Sequence, residues 1–198
     1  MCIRDSGSVM ISHFVIRDDV RQHGSGNAGL TNFYRTYGAR YALGVILFDM
    51  GKTVLACLLG GLVMRYLAGD WRLGVLLGGL GCELGHMFPV FFGFKGGKGI
   101  LSGGAMAIVI DWRVALVVWG GFLILTALTR YVSLGSLWAG ASFPFISWYC
   151  YPQTPIIVLA FCLGGLIVWK HRANIQRIRE GKEYRFCLLY TSPSPRDR

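Results

Sequence analysis

The sequence is short of charge. Of its 198 residues only 15% are Asp, Glu, Lys or Arg, against about 25% in an ordinary soluble domain, which is too few to cover a water-facing surface. Acidic residues are the scarcer sign: ten stand against twenty Lys and Arg, for a formal net charge of +10. Metal-site spacing is missing too. There are six cysteines but no CxxC and no Cys/His pattern, and Cys57, Cys82, Cys150 and Cys162 sit inside apolar runs, where they read as small buried hydrophobes rather than a disulfide framework. A nucleic-acid-binding domain would spread its cations over one face. Here they are confined to short stretches between apolar runs, so nucleic acid is excluded as a partner.

What is abundant is apolar: 54% of residues are hydrophobic and 28 are glycine, with a mean hydropathy of +0.49. A bilayer core about 30 Å thick needs roughly 20 apolar residues in a helix. Tyr41 to Leu67, Leu73 to Phe94, Val114 to Thr129, Val132 to Tyr151 and Thr154 to Trp169 supply five such stretches. Ile100 to Ile110 is half that length, either extended by the glycines before it or truly short, and Gly7 to Ile16 reads as the stump of a first helix. The fold class expected is all-α: a polytopic membrane helix bundle of seven segments with the first truncated. With seven alternating segments, thirteen cations fall on one side (Arg17 to Arg40, Lys95, Lys98, Arg130, Lys170 to Arg185) and three on the other (Arg65, Arg72, Arg113). The positive-inside rule puts the richer side in the cytoplasm. The terminal strings MCIRDS and CLLYTSPSPRDR do not share the helical pattern and read as translated adapter sequence. One domain, 7–186, lies between tails 1–6 and 187–198.

The loops of the cation-rich side share small flexible residues beside a cation. Gly24-Ser25-Gly26-Asn27-Ala28-Gly29-Leu30-Thr31-Asn32, with Arg35 after it, can converge backbone N–H groups and a guanidinium fork on an anion. It fits G-x-G-x-x-G, but Arg17 to His23 is polar where a buried strand should precede it, which removes a dinucleotide fold. His86 through Phe94-Lys95-Gly96-Gly97-Lys98-Gly99 is not a Walker loop, since Lys98 precedes Gly99 rather than Ser or Thr, yet two lysines among glycines can hold phosphate. His86 reads equally as a general base, a phosphate donor or a packing histidine. Ser133 and Ser136 share a helical face after Arg130-Tyr131. His171, Asn174 and Arg177 recur every three residues after the last span, in a stretch that also reads as a basic tail on anionic lipid. Asp49 and Lys52 are costly intramembrane charges expected to neutralise each other, and Glu83 is a third. His13 and Asp18 satisfy the His-x4-Asp spacing of thioester-dependent glycerolipid acyltransferases, but no phosphate motif follows and the match is discounted.

Taken together, these motifs resemble the bacterial acyl-phosphate:glycerol-3-phosphate acyltransferases of the inner membrane, over about residues 7 to 186. The resemblance implies seven membrane helices and transfer of an acyl chain from acyl phosphate to the 1-hydroxyl of glycerol 3-phosphate, giving lysophosphatidate with no metal, cofactor or thioester donor. It implies Ser25, Arg35 and His86 as catalytic. It implies Gly24, Gly26, Asn27, Thr31, Asn32, Lys95, Gly96, Gly97, Lys98, Gly99, Ser133, Ser136, His171 and Asn174 as substrate-binding, with Glu183 structural. Gly135 stands where the family pattern suggests Ala, a change expected to cost little. The rival class is a small-anion transporter or channel lined by Asp49 and Lys52. Such transporters commonly carry inverted repeats, and no motif here has a second copy.

Overall fold

A computed structural model describes residues 6–185, and the two terminal strings otherwise lie outside the described residues. Ser6, the first described residue, donates its hydroxyl to the Ala28 carbonyl at 3.1 Å. No strand occurs among the described residues. The chain begins with α1 (Gly7–Ile11), continued by a π-helical turn (Ser12–Ile16), and a short 3-10 turn (Val20–Gln22) leads to α2 (Leu30–Tyr37). Six longer elements follow: α3 (Ala39–Ala68), α4 (Trp71–Met87), α5 (Ile100–Ile110), α6 (Trp112–Thr129), α7 (Val132–Cys150) and α8 (Thr154–Lys170), with α9 (Arg172–Arg179) last.

All seven expected apolar segments therefore form helix, in order. The largest boundary error is in α4, which the hydropathy pattern ran to Phe94. The helix stops at Met87 because Pro89 disfavours helical backbone in the residue before it, and the chain turns into the 88–99 loop. Among the described residues, three helical stretches combine the length and apolarity to cross a bilayer alone: Ala39–Ala68, Trp71–Phe92 and Trp112–Thr129. Helix α8 meets α9 at a 51° bend.

The exterior is apolar and the interior holds the polar side chains. Leu47, Leu62, Leu116, Ile124 and Leu128 are exposed, while Asp49, Lys52, Thr53, Glu83 and Ser147 are buried. Water would penalise that surface and lipid does not. Neighbouring helices approach through small residues: a Cβ placed on Gly74 would collide with the Gly60 backbone across the α3–α4 seam. At Gly135 a methyl would strike the Thr126 hydroxyl and the Phe122 carbonyl of α6. The close approach of α6 and α7 therefore suits the glycine that stands where the family pattern suggests Ala.

Two kinds of connection alternate along the chain. Residues 69–70, 111 and 151–153 join helices by one to three residues at one end of the bundle. At the other end lie the long 17–29 and 88–99 loops, the 130–131 turn and the α8–α9 bend. The eleven residues of α5 rise about 16 Å at 1.5 Å each, half a bilayer core. The fourth segment is truly short, so its N-terminus, with Lys98 and Gly99, lies recessed below the long-loop face.

Candidate active site

The first loop is shaped by Asn32. Its Oδ1 accepts the Ser25 N–H at 3.0 Å, and its Nδ2 donates to the carbonyls of Val20 at 3.1 Å and His23 at 3.0 Å. The carboxamide is committed to backbone, so Asn32 fixes Ser25 and leaves ligand contact to others. Helix α2 then carries Arg35 inward. Among the described residues Arg35 makes no hydrogen bond or ion pair, and its guanidinium carbon lies 5.0 Å from the centroid of the Tyr184 ring. Burial pushes its pKa down and the Glu183 charge opposes that, which leaves a full cation, as an arginine of ordinary pKa above 12 remains charged at working pH. His13 is exposed, and Asp18 instead faces His23 Nε2 at 2.8 Å and Tyr37 Oη at 2.9 Å, so the His-x4-Asp spacing builds no catalytic pair.

The second loop folds around His86. Lys52 Nζ lies 2.7 Å from Asp49 Oδ1, the neutralisation read from the sequence. The structure adds His86, whose Nδ1 is 3.2 Å from Lys52 Nζ and 3.5 Å from Asp49. Asp49 also accepts the Gly7 N–H at 2.9 Å, which ties α1 into the same cluster. On its far side the His86 ring abuts Gly97, where a Cβ would collide with Nε2, and the His86 carbonyl accepts the Gly97 N–H at 3.2 Å. His86 is 3% exposed and joins the buried charge pair to the loop backbone. Glu83, one turn earlier, is fully buried with its carboxylate against Gly99, and neither oxygen has a hydrogen-bond partner among the described residues.

The third and fourth motifs close the ring. Lys98 donates to Asn174 Oδ1, and Asn174 Nδ2 donates to Glu183 at 2.8 Å. Glu183 also receives Arg177 Nε at 2.8 Å. Burial, reinforced by the Arg177 charge and opposed by Glu183, pushes Lys98 down to about 8. Burial would raise Glu183, but the donors from Asn174 and Arg177 outweigh it and hold its carboxyl below the usual range. His171 Nδ1 lies 2.8 Å from the Ile167 carbonyl; a carbonyl only accepts, so Nδ1 carries the hydrogen and Nε2 is an acceptor when the ring is neutral.

These pieces line one cavity of about 370 Å³. Of the residues expected at the site it gathers Ser25, Asn27, Thr31, Asn32, Arg35, His86, Lys98, Gly99, Ser133, Ser136, His171 and Asn174. Gly24, Gly26, Lys95, Gly96 and Gly97 are not part of its lining. Lys95 is exposed, while Gly96 and Gly97 lie behind the wall against His86. Sequence reasoning did not choose Asp49, Arg177, Trp119 or Tyr184, all of which line it. The every-third-residue pattern that selected His171 and Asn174 also contains Arg177, whereas nothing local marks Trp119 or Tyr184. Arg35, Lys98 and Arg177 line the cavity with Asp49 and Glu183; Asp49 is answered by Lys52 behind the wall and Glu183 by Arg177, which leaves Arg35 and Lys98 with no carboxylate ion pair among the described residues, and Ile46, Met50, Leu101, Trp119 and Phe122 make an apolar wall beside them.

A lipid-facing helical bundle with a recessed, cation-rich, half-apolar cavity is an integral membrane protein built to hold an anion that has an apolar part. The chain belongs to the glycerol-3-phosphate acyltransferase family, whose model matches residues 6–181. Proteins named glycerol-3-phosphate acyltransferase from Finegoldia magna (38% identical, over 90% of this chain and 87% of that one) and Aquifex aeolicus (39% identical, over 85% of each) are among its relatives. It also resembles the crystal structure of PlsY (YgiH), an integral membrane glycerol 3-phosphate acyltransferase, in its glycerol 3-phosphate form. The TM-score is 0.79 at 33% identity, over 91% of this chain and 90% of that one. A lysophosphatidic acid form of the same enzyme gives 0.78 at 31% identity, over 93% and 92%.

Proposed function

We propose that the chain transfers an acyl group from acyl phosphate to the 1-hydroxyl of glycerol 3-phosphate, producing lysophosphatidate in phospholipid synthesis, without metal, cofactor or thioester donor. Acyl phosphate, glycerol 3-phosphate and membrane lipid are its partners. The observation that carries the reading is the two cavity cations paired to no carboxylate, Arg35 and Lys98, beside an apolar wall: a phosphate monoester brings about two negative charges, and an acyl chain needs the wall. Thirteen cations on the long-loop side against three on the other support an active site facing the cytoplasm in the bacterial inner membrane.

In this mechanism Arg35 and Lys98 hold phosphate oxygens, Arg35 as a fork and Lys98 as a point charge. Ser25 and the amides of its loop align the donor. Asn27, Thr31, Ser133, Ser136 and Asn174 add donors around the substrates. Gly99 lets the chain pass close to them, and the Gly24, Gly26, Gly96 and Gly97 turns shape the two loops. Lys95, on the exposed rim, attracts anions to the mouth. Holding both substrates in line and balancing charge on the carbonyl and the leaving phosphate lowers the barrier. Both lining carboxylates are engaged, Asp49 by Lys52 and Glu183 by Arg177. The hydroxyl proton therefore passes to a substrate phosphate oxygen; His171 Nε2 is left to accept a hydrogen bond from substrate, while His86, engaged with Lys52, keeps the two loops together. With acyl phosphate and glycerol 3-phosphate supplied and no thioester, Arg35→Ala is expected to abolish lysophosphatidate formation in membranes. Full turnover by that variant would overturn the site assignment, and turnover only with acyl-CoA would overturn the donor.

A further inference from the structure

Residues 180–185 carry no step of the reaction above, yet they form part of the cavity wall. Helix α9 ends at Arg179, and Gly181, just past its Glu180 cap, has a left-handed φ of +67°. The Gly181 N–H donates to the Ile178 carbonyl at 3.1 Å and the Lys182 N–H to the Arg177 carbonyl at 2.8 Å, the paired bonds of a Schellman turn. The turn sends the chain back along α9, where Asn174 and Arg177 seize Glu183. The next residue, Tyr184, then lies over Arg35 from the far end of the sequence, its ring centroid 5.0 Å from the guanidinium carbon. Arg185 continues to Tyr131 of the α6–α7 turn, 5.7 Å from that ring's centroid.

We propose that Tyr184 is a positioning residue: its ring holds the Arg35 guanidinium in the cavity and leaves the N–H donors free for a phosphate oxygen. This rests on the proposed role of Arg35. An arginine side chain gives up rotamer freedom when fixed, so one that must meet a phosphate in one orientation gains from being held beforehand. A carboxylate would hold it too, but would occupy the donors and cancel the charge the substrate needs. An aromatic face attracts the cation through its quadrupole and takes no N–H. The anchor is local and rigid: Glu183, one residue before, is fixed by two side chains of α9, so the ring's placement follows from the Gly181 turn.

The test is a substitution series at Tyr184, which is 52% exposed and so tolerates replacement without loss of core packing. Trp, Phe and Leu variants are assayed with acyl phosphate and glycerol 3-phosphate, normalised to protein in the membrane. A held cation predicts kcat/KM in the order Trp, Tyr, Phe, Leu, with Tyr184→Leu reduced about 3- to 30-fold and Tyr184→Phe recovering most of that loss. A wall that merely fills space is served as well by Leu as by Phe, so equal activity of those two overturns the proposal. Arg35→Ala separates the two failures. If it is inactive while Leu equals Phe, only the role of Tyr184 falls; if it is fully active, the reading of the site falls first.

Discussion

The two ends of this bundle use charge in opposite ways. At the short-turn end Asp111 accepts the Arg113 N–H and side chain at 2.7 and 3.0 Å, Tyr151 Oη donates to the same carboxylate, and Arg72 stacks on the Tyr151 ring at 4.1 Å. Asp70 caps α4 through the Leu73 N–H at 3.0 Å. Each acid there is answered by a group a few residues away or on the adjoining turn. The long-loop end has paired charges too, Arg21 with Asp19 and Arg177 with Glu183, but inside its cavity Arg35 lies against a ring and Lys98 against a neutral carboxamide, and the lining cations outnumber the acids. Charges satisfied by neighbours tie helices together; charges held but not neutralised are available to a ligand. One end is built as a knot and the other as a receptor.

The largest expected break of that contrast is Lys98→Met. Removing a preorganised cation from a phosphoryl or acyl transfer site costs about a hundredfold to a thousandfold in rate, and kcat/KM for glycerol 3-phosphate should fall by that order. Stability should move the other way. Lys98 titrates near 8 in the fold against 10.5 ordinarily, so its charge opposes folding at neutral pH, an opposition that fades as pH climbs from about 8 toward 10.5. A thermal scan in detergent should find Lys98→Met no less stable than the parent at pH 7. A variant that lost both activity and stability would place Lys98 in the knot class instead.

The same residue gives a pH signature. Below about 8 Lys98 is charged, and as pH rises through that value the charge is lost. The kcat/KM for glycerol 3-phosphate should therefore fall above pH 8, by about tenfold per unit for a single required proton. Lys98→Arg, which stays charged above pH 12, should move that limb beyond the accessible range even where its absolute rate is lower. A limb unmoved by the substitution would assign the titration to another group.

Much of this was legible in the sequence because it is written in period and length. Apolar runs gave the seven segments, and spacing of three put Asp49 beside Lys52 and His171 beside Asn174. Three things were not legible. The place of His86 depends on Lys52, 34 residues away, and no local pattern distinguishes a histidine locked to an intramembrane lysine from a general base. Asn32 reads as a free donor until its loop curls back onto it. Tyr184 reaches Arg35 only because a Schellman turn reverses the chain, and a tyrosine after Lys182-Glu183 carries no mark of that. Glu83 was noticed as a buried charge, and its contact with Gly99 supplies a steric reason for glycine there besides the positive φ of +83°.

The smallest expected effect comes from the knot. Asp111→Ala removes the side-chain cap of α6 and the acceptor for Arg113 and Tyr151 in one change. A lost cap costs about 1 kcal/mol, and the pair with the half-exposed Arg113 side chain adds little because water screens it. A protein of this size then melts about 2–4 °C lower. Lysophosphatidate formation per folded molecule should stay within about twofold, since the one residue joining α5 to α6 lies at the opposite end of α5 from Lys98 and Gly99, and a loss of 1 kcal/mol from a stable fold leaves nearly every molecule folded. Arg113→Met, which keeps the cap and removes only the pair, should melt closer to the parent than Asp111→Ala does. If either variant instead lost activity at unchanged melting temperature, the two ends would be coupled through the short α5 helix, and the division between a structural end and a binding end would fail where the bundle is thinnest.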